Sequence, residues 1–87
     1  MRRDKEFDMS IKREIAKEIN ILEQEIKILE EKRSRSQAVI IEALLSHVAP
    51  DERDVAYFRA FTEQINIKRE RVQKLMAELD KIVNKKK

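Results

Sequence analysis

The sequence contains no glycine, no cysteine and no tryptophan, and it has one proline in 87 residues. Without cysteine the chain forms no disulfide and has no thiol nucleophile. Without glycine it has neither a P-loop nor a dinucleotide-binding fingerprint, because both motifs need glycine where phosphate approaches the backbone. These absences exclude several large classes of nucleotide-dependent and thiol-dependent enzymes.

Long apolar runs are absent as well. No stretch approaches the roughly 18 consecutive apolar residues that indicate a transmembrane helix. The first ten residues, MRRDKEFDMS, lack the apolar region of a secretory signal. We therefore expect a cytoplasmic protein that does not insert into a membrane.

Charged residues are abundant, at 43% of the chain, and the formal net charge is only +3. A composition rich in Ala, Glu, Lys, Leu and Arg is typical of long helices and coiled coils. The small net charge does not by itself indicate a nucleic-acid partner. The composition therefore predicts an all-α protein.

Pro50 divides the chain into two long segments. Proline favours the first turn of a helix and disfavours helical geometry in the residue before it. Asp51, Glu52 and Asp54 follow as first-turn acids, which suit the positive end of a helix dipole. We predict one domain, 1–87, with helix one at about 8–47, a connection at 48–50, helix two at about 50–84 and a basic tail at 85–87. A short connection between long helices predicts an antiparallel two-helix hairpin.

Apolar residues recur at alternating steps of four and three in both segments, which is the pattern of a coiled-coil seam. The helix-one seam is Ile15, Ile19, Leu22, Ile26, Leu29, Arg33, Ser36, Ile40, Ala43 and His47. The helix-two seam is Val55, Phe58, Thr62, Ile65, Arg69, Val72, Met76, Leu79 and Val83. We expect these two seams to face each other.

A second apolar set lies off these seams. Its members are Ile21, Ile28, Ile41, Leu45, Phe61, Leu75 and Ile82. Two helices cannot cover so wide an apolar surface between them. We expect either that two hairpins pair as a homodimeric four-helix bundle or that another helical protein covers this set.

Arg33 and Ser36 interrupt the seam of helix one. Folding the hairpin about residue 50 places Arg33 opposite residue 67, close to Arg69, so we expect one polar layer that fixes the register. One alternative is a break in helix one within the segment KRSRS, which would give three helices. Another is a basic patch in which Arg33, Arg35 and Arg69, with Lys68 and Arg71, bind a phosphate or an acidic partner.

The sequence offers little for catalysis. His47, the one histidine, lies near the end of helix one, where a positive charge favours the helix dipole. A metal site would need further histidine or cysteine residues or grouped carboxylates. We predict no catalytic residue, no cofactor and no metal, and we expect that the chain is not an enzyme.

Three of the four aromatic residues, Tyr57, Phe58 and Phe61, lie early in helix two. They either form a core at the hairpin tip or provide an exposed aromatic anchor for a partner. The favoured hypothesis is a helical-hairpin interaction module that acts as a small regulator, adaptor or chaperone. Its partner-binding candidates are Tyr57, Phe58, Phe61, Ile21, Ile28 and Leu75.

The two ends of the predicted hairpin differ in charge. Residues 1–13 and 74–87 together carry ten bases and five acids, whereas residues 42–63 carry two bases and five acids. A basic end can contact phosphates. The alternative hypothesis is therefore a dimeric nucleic-acid-binding regulator that uses its basic ends or the level of Arg33 and Arg69.

Overall fold

The computed structural model describes the backbone of residues 2–84 and the side chains of residues 9–83. It consists of two α-helices, α1 at Arg2–Leu45 and α2 at Glu52–Asn84, which pack against each other along their length. The molecule is a rod that measures 68 × 19 × 15 Å. The predicted all-α helical hairpin is confirmed, and the predicted basic tail at 85–87 lies outside the described residues.

Helix α1 is longer at its start than the sequence predicts, because it begins at Arg2 and not near residue 8. It is continuous through the segment KRSRS, so the alternative with three helices is wrong. Arg33 and Arg35 are good helix formers, and neither glycine nor proline interrupts the segment. The serines there do not start a new helix.

The end of α1 is closed by a Schellman motif. The N–H of Val48 donates to the carbonyl of Ala43 at 2.9 Å, and the N–H of His47 donates to the carbonyl of Leu44 at 3.1 Å. His47 has a φ of 59°, in the left-handed region that glycine usually occupies at this position. A residue with a Cβ atom there costs on the order of 1–2 kcal/mol. His47 was predicted as part of α1, but it terminates the helix.

Helix α2 begins with an N-cap. The side chain of Asp51 accepts a hydrogen bond from the N–H of Arg53 at 2.9 Å, and this bond satisfies a donor that has no partner within the helix. Glu52 and Asp54 are the first-turn acids. Pro50 therefore precedes the cap and does not occupy the first helical position.

The core consists of two clusters stacked along the rod. The first contains Ile15, Ile19 and Leu75, with Ile11, Leu22, Val72, Leu79 and Ile82 packed against it. The second contains Ile26, Leu29 and Ile65, with Phe61 and Val72 packed against it. Residue numbers in α1 rise toward the tip while those in α2 fall, so the helices are antiparallel. The predicted apolar seam of helix one, from Ile15 to Leu29, is confirmed.

The predicted seam of helix two is only half right. Ile65, Val72 and Leu79 face α1, but Arg69, Met76 and Val83 are exposed. The column that completes the core is Phe61, Lys68, Leu75 and Ile82, one residue earlier in each heptad. Three of these four side chains are large and apolar, so α2 buries more apolar area by turning this column inward. Leu75, which was predicted to lie off the seam, is 2% exposed.

The neighbours Leu75 and Met76 test this register. Leu75→Ala should lower the free energy of unfolding by about 2–5 kcal/mol, because it leaves a cavity in the core. Met76→Ala should cost less than about 1 kcal/mol in dilute protein, because Met76 is 53% exposed. Urea denaturation of both variants measures the difference, and a larger loss for Met76→Ala would show that the register is wrong.

The N-cap of α2 gives a second test. Asp51→Ala should lower the free energy of unfolding by about 0.5–2 kcal/mol, because the N–H of Arg53 loses its partner. Asp51→Asn keeps the acceptor oxygen and should retain most of the stability. Thermal denaturation followed by circular dichroism measures both variants. Equal losses in the two would contradict a capping role for Asp51.

Candidate functional site

Among the residues with described side chains, three ion pairs with known partners cross between the helices. Lys68 pairs with Glu25 at 3.1 Å, Arg71 pairs with Glu18 at 3.0 Å, and Arg69 pairs with Glu30. Each pair joins one residue column of α1 to one of α2, and such columns repeat every seven residues. The pairs therefore show which columns lie on the same face of the hairpin.

The hairpin has two such faces. We define the Arg69–Glu30 face as Met9, Ala16, Glu23, Glu30, Gln37 and Leu44 of α1 with Val55, Thr62, Arg69, Met76 and Val83 of α2. We define the Arg71–Glu18 face as Ile11, Glu18, Glu25, Lys32 and Val39 of α1 with Tyr57, Gln64, Arg71 and Glu78 of α2.

Exposed large apolar side chains outnumber fully buried ones in the described part of this hairpin. Among the described residues, six hydrophobic side chains are buried and twelve large ones are exposed. The exposed ones are Met9, Ile21, Ile28, Val39, Ile41, Leu44, Leu45, Val48, Tyr57, Ile67, Met76 and Val83. The apolar surface is therefore available to a partner along the whole rod.

Three of the predicted partner-binding residues lie together on one side. Ile21 and Ile28 follow Glu18 and Glu25 by three residues each, so they border the Arg71–Glu18 face, and both are exposed. Tyr57 belongs to the same face. Its ring stacks on Phe61, with a centroid distance of 6.2 Å. The structure thus brings Ile21, Ile28 and Tyr57 to one face.

The other predicted contact residues lie elsewhere. Leu75 belongs to the core and has no surface to offer a partner. Phe61 is half-buried against the cluster of Ile26, Leu29 and Ile65, so it lies toward the middle of the hairpin and not at its tip. Phe58 is half-buried.

The sequence reasoning missed two exposed apolar residues on this side. Val39 lies on the Arg71–Glu18 face, and Ile67 follows Gln64 by three residues and borders it. Counting steps of seven from Tyr57 and from Glu18 would have found this face. Ile67 lies in the polar segment IKRE and belongs to neither predicted apolar set.

None of the buried core residues among those described lies at the hairpin tip. Leu44, Leu45 and Val48 are all more than half exposed. The connection is too short to fold back over them, because α1 ends at Leu45 and α2 starts at Glu52. Tyr57 is exposed and Phe61 packs against the second cluster, so the three early aromatic residues do not form one core at the tip.

The predicted polar layer is not a single layer. Arg33 and Ser36 are half-buried, but Arg69 is exposed. Ile26, Arg69 and Val72 line one surface cavity, so the level of Ile26 along the rod is near that of Arg69. Arg33 lies seven residues nearer the tip than Ile26, which is about 10 Å along a helix. Opposite residues of α1 and α2 are therefore not equidistant from residue 50. For this reason Arg33 and Arg69 lie at different levels of the rod.

Most cations of the predicted phosphate-binding patch are paired with carboxylates. Lys68, Arg69 and Arg71 each pair with a carboxylate. Arg33 and Arg35 take no part in these three pairs, but residues two apart on a helix do not face the same way. The five cations therefore do not converge on one anion.

The described residues contain no group of three His, Cys, Asp or Glu side chains that could hold a metal ion. Neither described helix has a stretch apolar enough to cross a membrane. Within the same residues no polar side chain is buried. The distinguishing surface features are therefore the exposed apolar residues and the charges around them.

The chain matches no protein-family model, and no curated protein or solved structure is significantly similar to it. Its function is therefore inferred from its own residues and their arrangement.

The coupling free energy of a cross-helix ion pair can be measured. Arg71→Gln should lower the free energy of unfolding by less than about 1 kcal/mol, because both partners are exposed to screening solvent. A double-mutant cycle with Glu18→Gln isolates the coupling between the two side chains. That coupling should vanish near 1 M salt, where the Debye length is about 3 Å. A coupling that persists at this salt concentration would contradict the assignment.

Proposed function

We propose that this chain is a non-enzymatic helical-hairpin module for protein–protein interaction. The observation that carries the proposal is the excess of exposed over buried large apolar side chains in the described residues. Extensive exposed apolar surface marks interaction sites in soluble proteins. The proposed role is that of a small cytoplasmic regulator, adaptor or chaperone whose partners are a second copy of the chain, another helical protein, or both.

The Arg71–Glu18 face supports contact with a helix of another protein. Ile21 and Ile28 lie seven residues apart, so they align along α1 with a spacing of about 10 Å. A partner helix with apolar residues at steps of three, four and seven can pack along them. Tyr57 adds a rigid side chain with a polar tip, which suits the edge of a contact.

Charged residues surround these apolar positions. The pairs Glu18–Arg71 and Glu25–Lys68 lie beside Ile21 and Ile28. A polar border around apolar contact residues is typical of interfaces, since charged residues are depleted from the interface core and remain at its rim. These charges would contribute more to the orientation of a bound partner than to its affinity.

Nucleic-acid binding is the alternative from the sequence. It needs cations that are free to contact phosphates, and three of the five cations in its proposed patch are paired with carboxylates. This pairing favours the protein-interaction proposal. A gel-shift experiment at low salt with duplex DNA and structured RNA separates the two hypotheses, because phosphate binding weakens steeply with salt.

The proposal predicts the effect of two paired substitutions. Ile21→Gln with Ile28→Gln should reduce recovery of partner proteins by at least about tenfold, the factor that about 1.4 kcal/mol of lost contact produces. The control is Lys17→Gln with Glu31→Gln, two exposed positions on the same helix whose charges cancel. Affinity purification of tagged protein with quantitative mass spectrometry measures recovery.

Helical content by circular dichroism should be the same in both double variants, since all four positions are exposed. The proposal fails if the isoleucine variant and the control recover the same proteins in the same amounts. It also fails if the unmodified chain neither self-associates nor recovers any partner.

A further inference from the structure

The Arg69–Glu30 face is apolar at both ends and polar in the middle. At the terminal end lie Met9, Ala16, Met76 and Val83, and three of these are more than half exposed. At the tip lie Leu44 and Val55, beside the exposed Ile41 and Val48. Between the ends lie only polar residues, namely Glu23, Glu30, Gln37, Thr62 and Arg69. A partner for this face must be apolar at two places far apart.

The two columns of this face share one centre. In α1 the midpoint between Met9 and Leu44 falls between residues 26 and 27. In α2 the midpoint between Val55 and Val83 is Arg69. Ile26 and Arg69 line the same surface cavity, so both midpoints lie at about the same level of the rod. A two-fold axis through this level places Met9 on Leu44 of a second copy, and Val83 on its Val55.

At the centre of the face the same axis places Glu23 of one copy on Glu30 of the other, and Arg69 on its counterpart. Glu23, Lys27, Glu30 and Arg69 have formal charges that cancel, and Lys27 lies within one turn of both glutamates. Glu23 takes no part in the three cross-helix ion pairs. Two copies therefore bring four acids and four bases together around the axis, so that Arg69 of the face and Lys27 beside it offset the contacts between glutamates.

The charges at the two ends of the rod favour one relative direction of the two copies. Among residues with described side chains, 9–13 and 74–83 carry four bases and two acids at the terminal end. Residues 42–63 carry five acids and two bases at the tip. Antiparallel copies place a basic end against an acidic tip, whereas parallel copies place like charges together. Complementary potentials favour the antiparallel arrangement.

We propose that a second copy of this chain docks on the Arg69–Glu30 face in the antiparallel direction, which gives a two-fold symmetric four-helix bundle. The inference rests on the proposed function only in taking exposed apolar residues as contact residues. The face extends from Met9 to Leu44 of α1, about 52 Å, and a strip 19 Å wide covers roughly 1,000 Å² per copy. A stable interface of standard size needs about 800 Å² per partner.

The direction is tested with spin labels, because the chain has no cysteine of its own. Ser10→Cys is exposed near the terminal end and carries one label per copy. Antiparallel pairing separates the two labels by about 50 Å along the rod, whereas parallel pairing brings them within about 25 Å. Gln24→Cys, near the centre, should give a short distance in either case and is the control. Pulsed electron resonance measures both distances, and a short distance at Ser10→Cys would overturn the direction.

The face is tested with a matched pair of substitutions. Leu44 and Ile67 are equally exposed, at 58% and 59%, but only Leu44 lies on the Arg69–Glu30 face. Leu44→Lys should raise the dissociation constant of the dimer at least about tenfold, since it places a charge in an apolar contact. Ile67→Lys should leave it unchanged. Sedimentation equilibrium over a concentration series measures both variants, and the reverse outcome would overturn the choice of face.

The mass of the unmodified chain separates this inference from the proposed function. A monomer at about 100 µM, roughly a hundredfold above a micromolar Kd, overturns the second copy as the occupant of this face. The proposed function then still stands or falls on the isoleucine variants, because Ile21 and Ile28 lie on the other face.

Discussion

A helix with one neighbouring helix can bury only the stripe that faces it, and this limit governs the whole structure. Each helix of the hairpin has one neighbour, so its core is a single file of two small clusters. Apolar residues outside that file remain exposed because nothing in the described chain is left to cover them. The same narrow stripe of contact leaves no polar side chain of the described residues buried. Exposure of apolar surface and freedom from buried charge thus have the same cause.

The period of the apolar residues predicts the two helices and their pairing, and Pro50 predicts the position of the connection. The period does not say which of two neighbouring columns in α2 completes the core. Both choices share Ile65, Val72 and Leu79. The signal that separates them is the content of the other column, because Phe61, Leu75 and Ile82 are more apolar than Thr62, Arg69, Met76 and Val83. Choosing the column that lies one residue earlier in each heptad places Leu75 in the core in place of Met76. It also moves Arg69 off the seam.

The candidate site could be predicted in part. Ile21 and Ile28 are exposed as the sequence predicts, because the seam of helix one is unambiguous from Ile15 to Leu29. The positions of Phe61 and Leu75 could not be read correctly while the register of α2 was wrong. The two faces also depend on how α2 is rotated against α1, and the cross-helix ion pairs report that rotation directly. A column that is apolar at both ends and polar in its middle becomes visible only once that rotation is known.

The turn between the helices has a consequence for how copies of this chain can associate. Long helical hairpins can exchange helices between chains when the connection straightens, since the same core then forms between two molecules. Straightening here would place Pro50 inside a continuous helix, where its ring clashes with the carbonyl of Ser46 at a cost of about 3 kcal/mol or more. The N-cap at Asp51 would also be lost. Proline at this position therefore favours the core formed within one chain over one exchanged through a straightened connection.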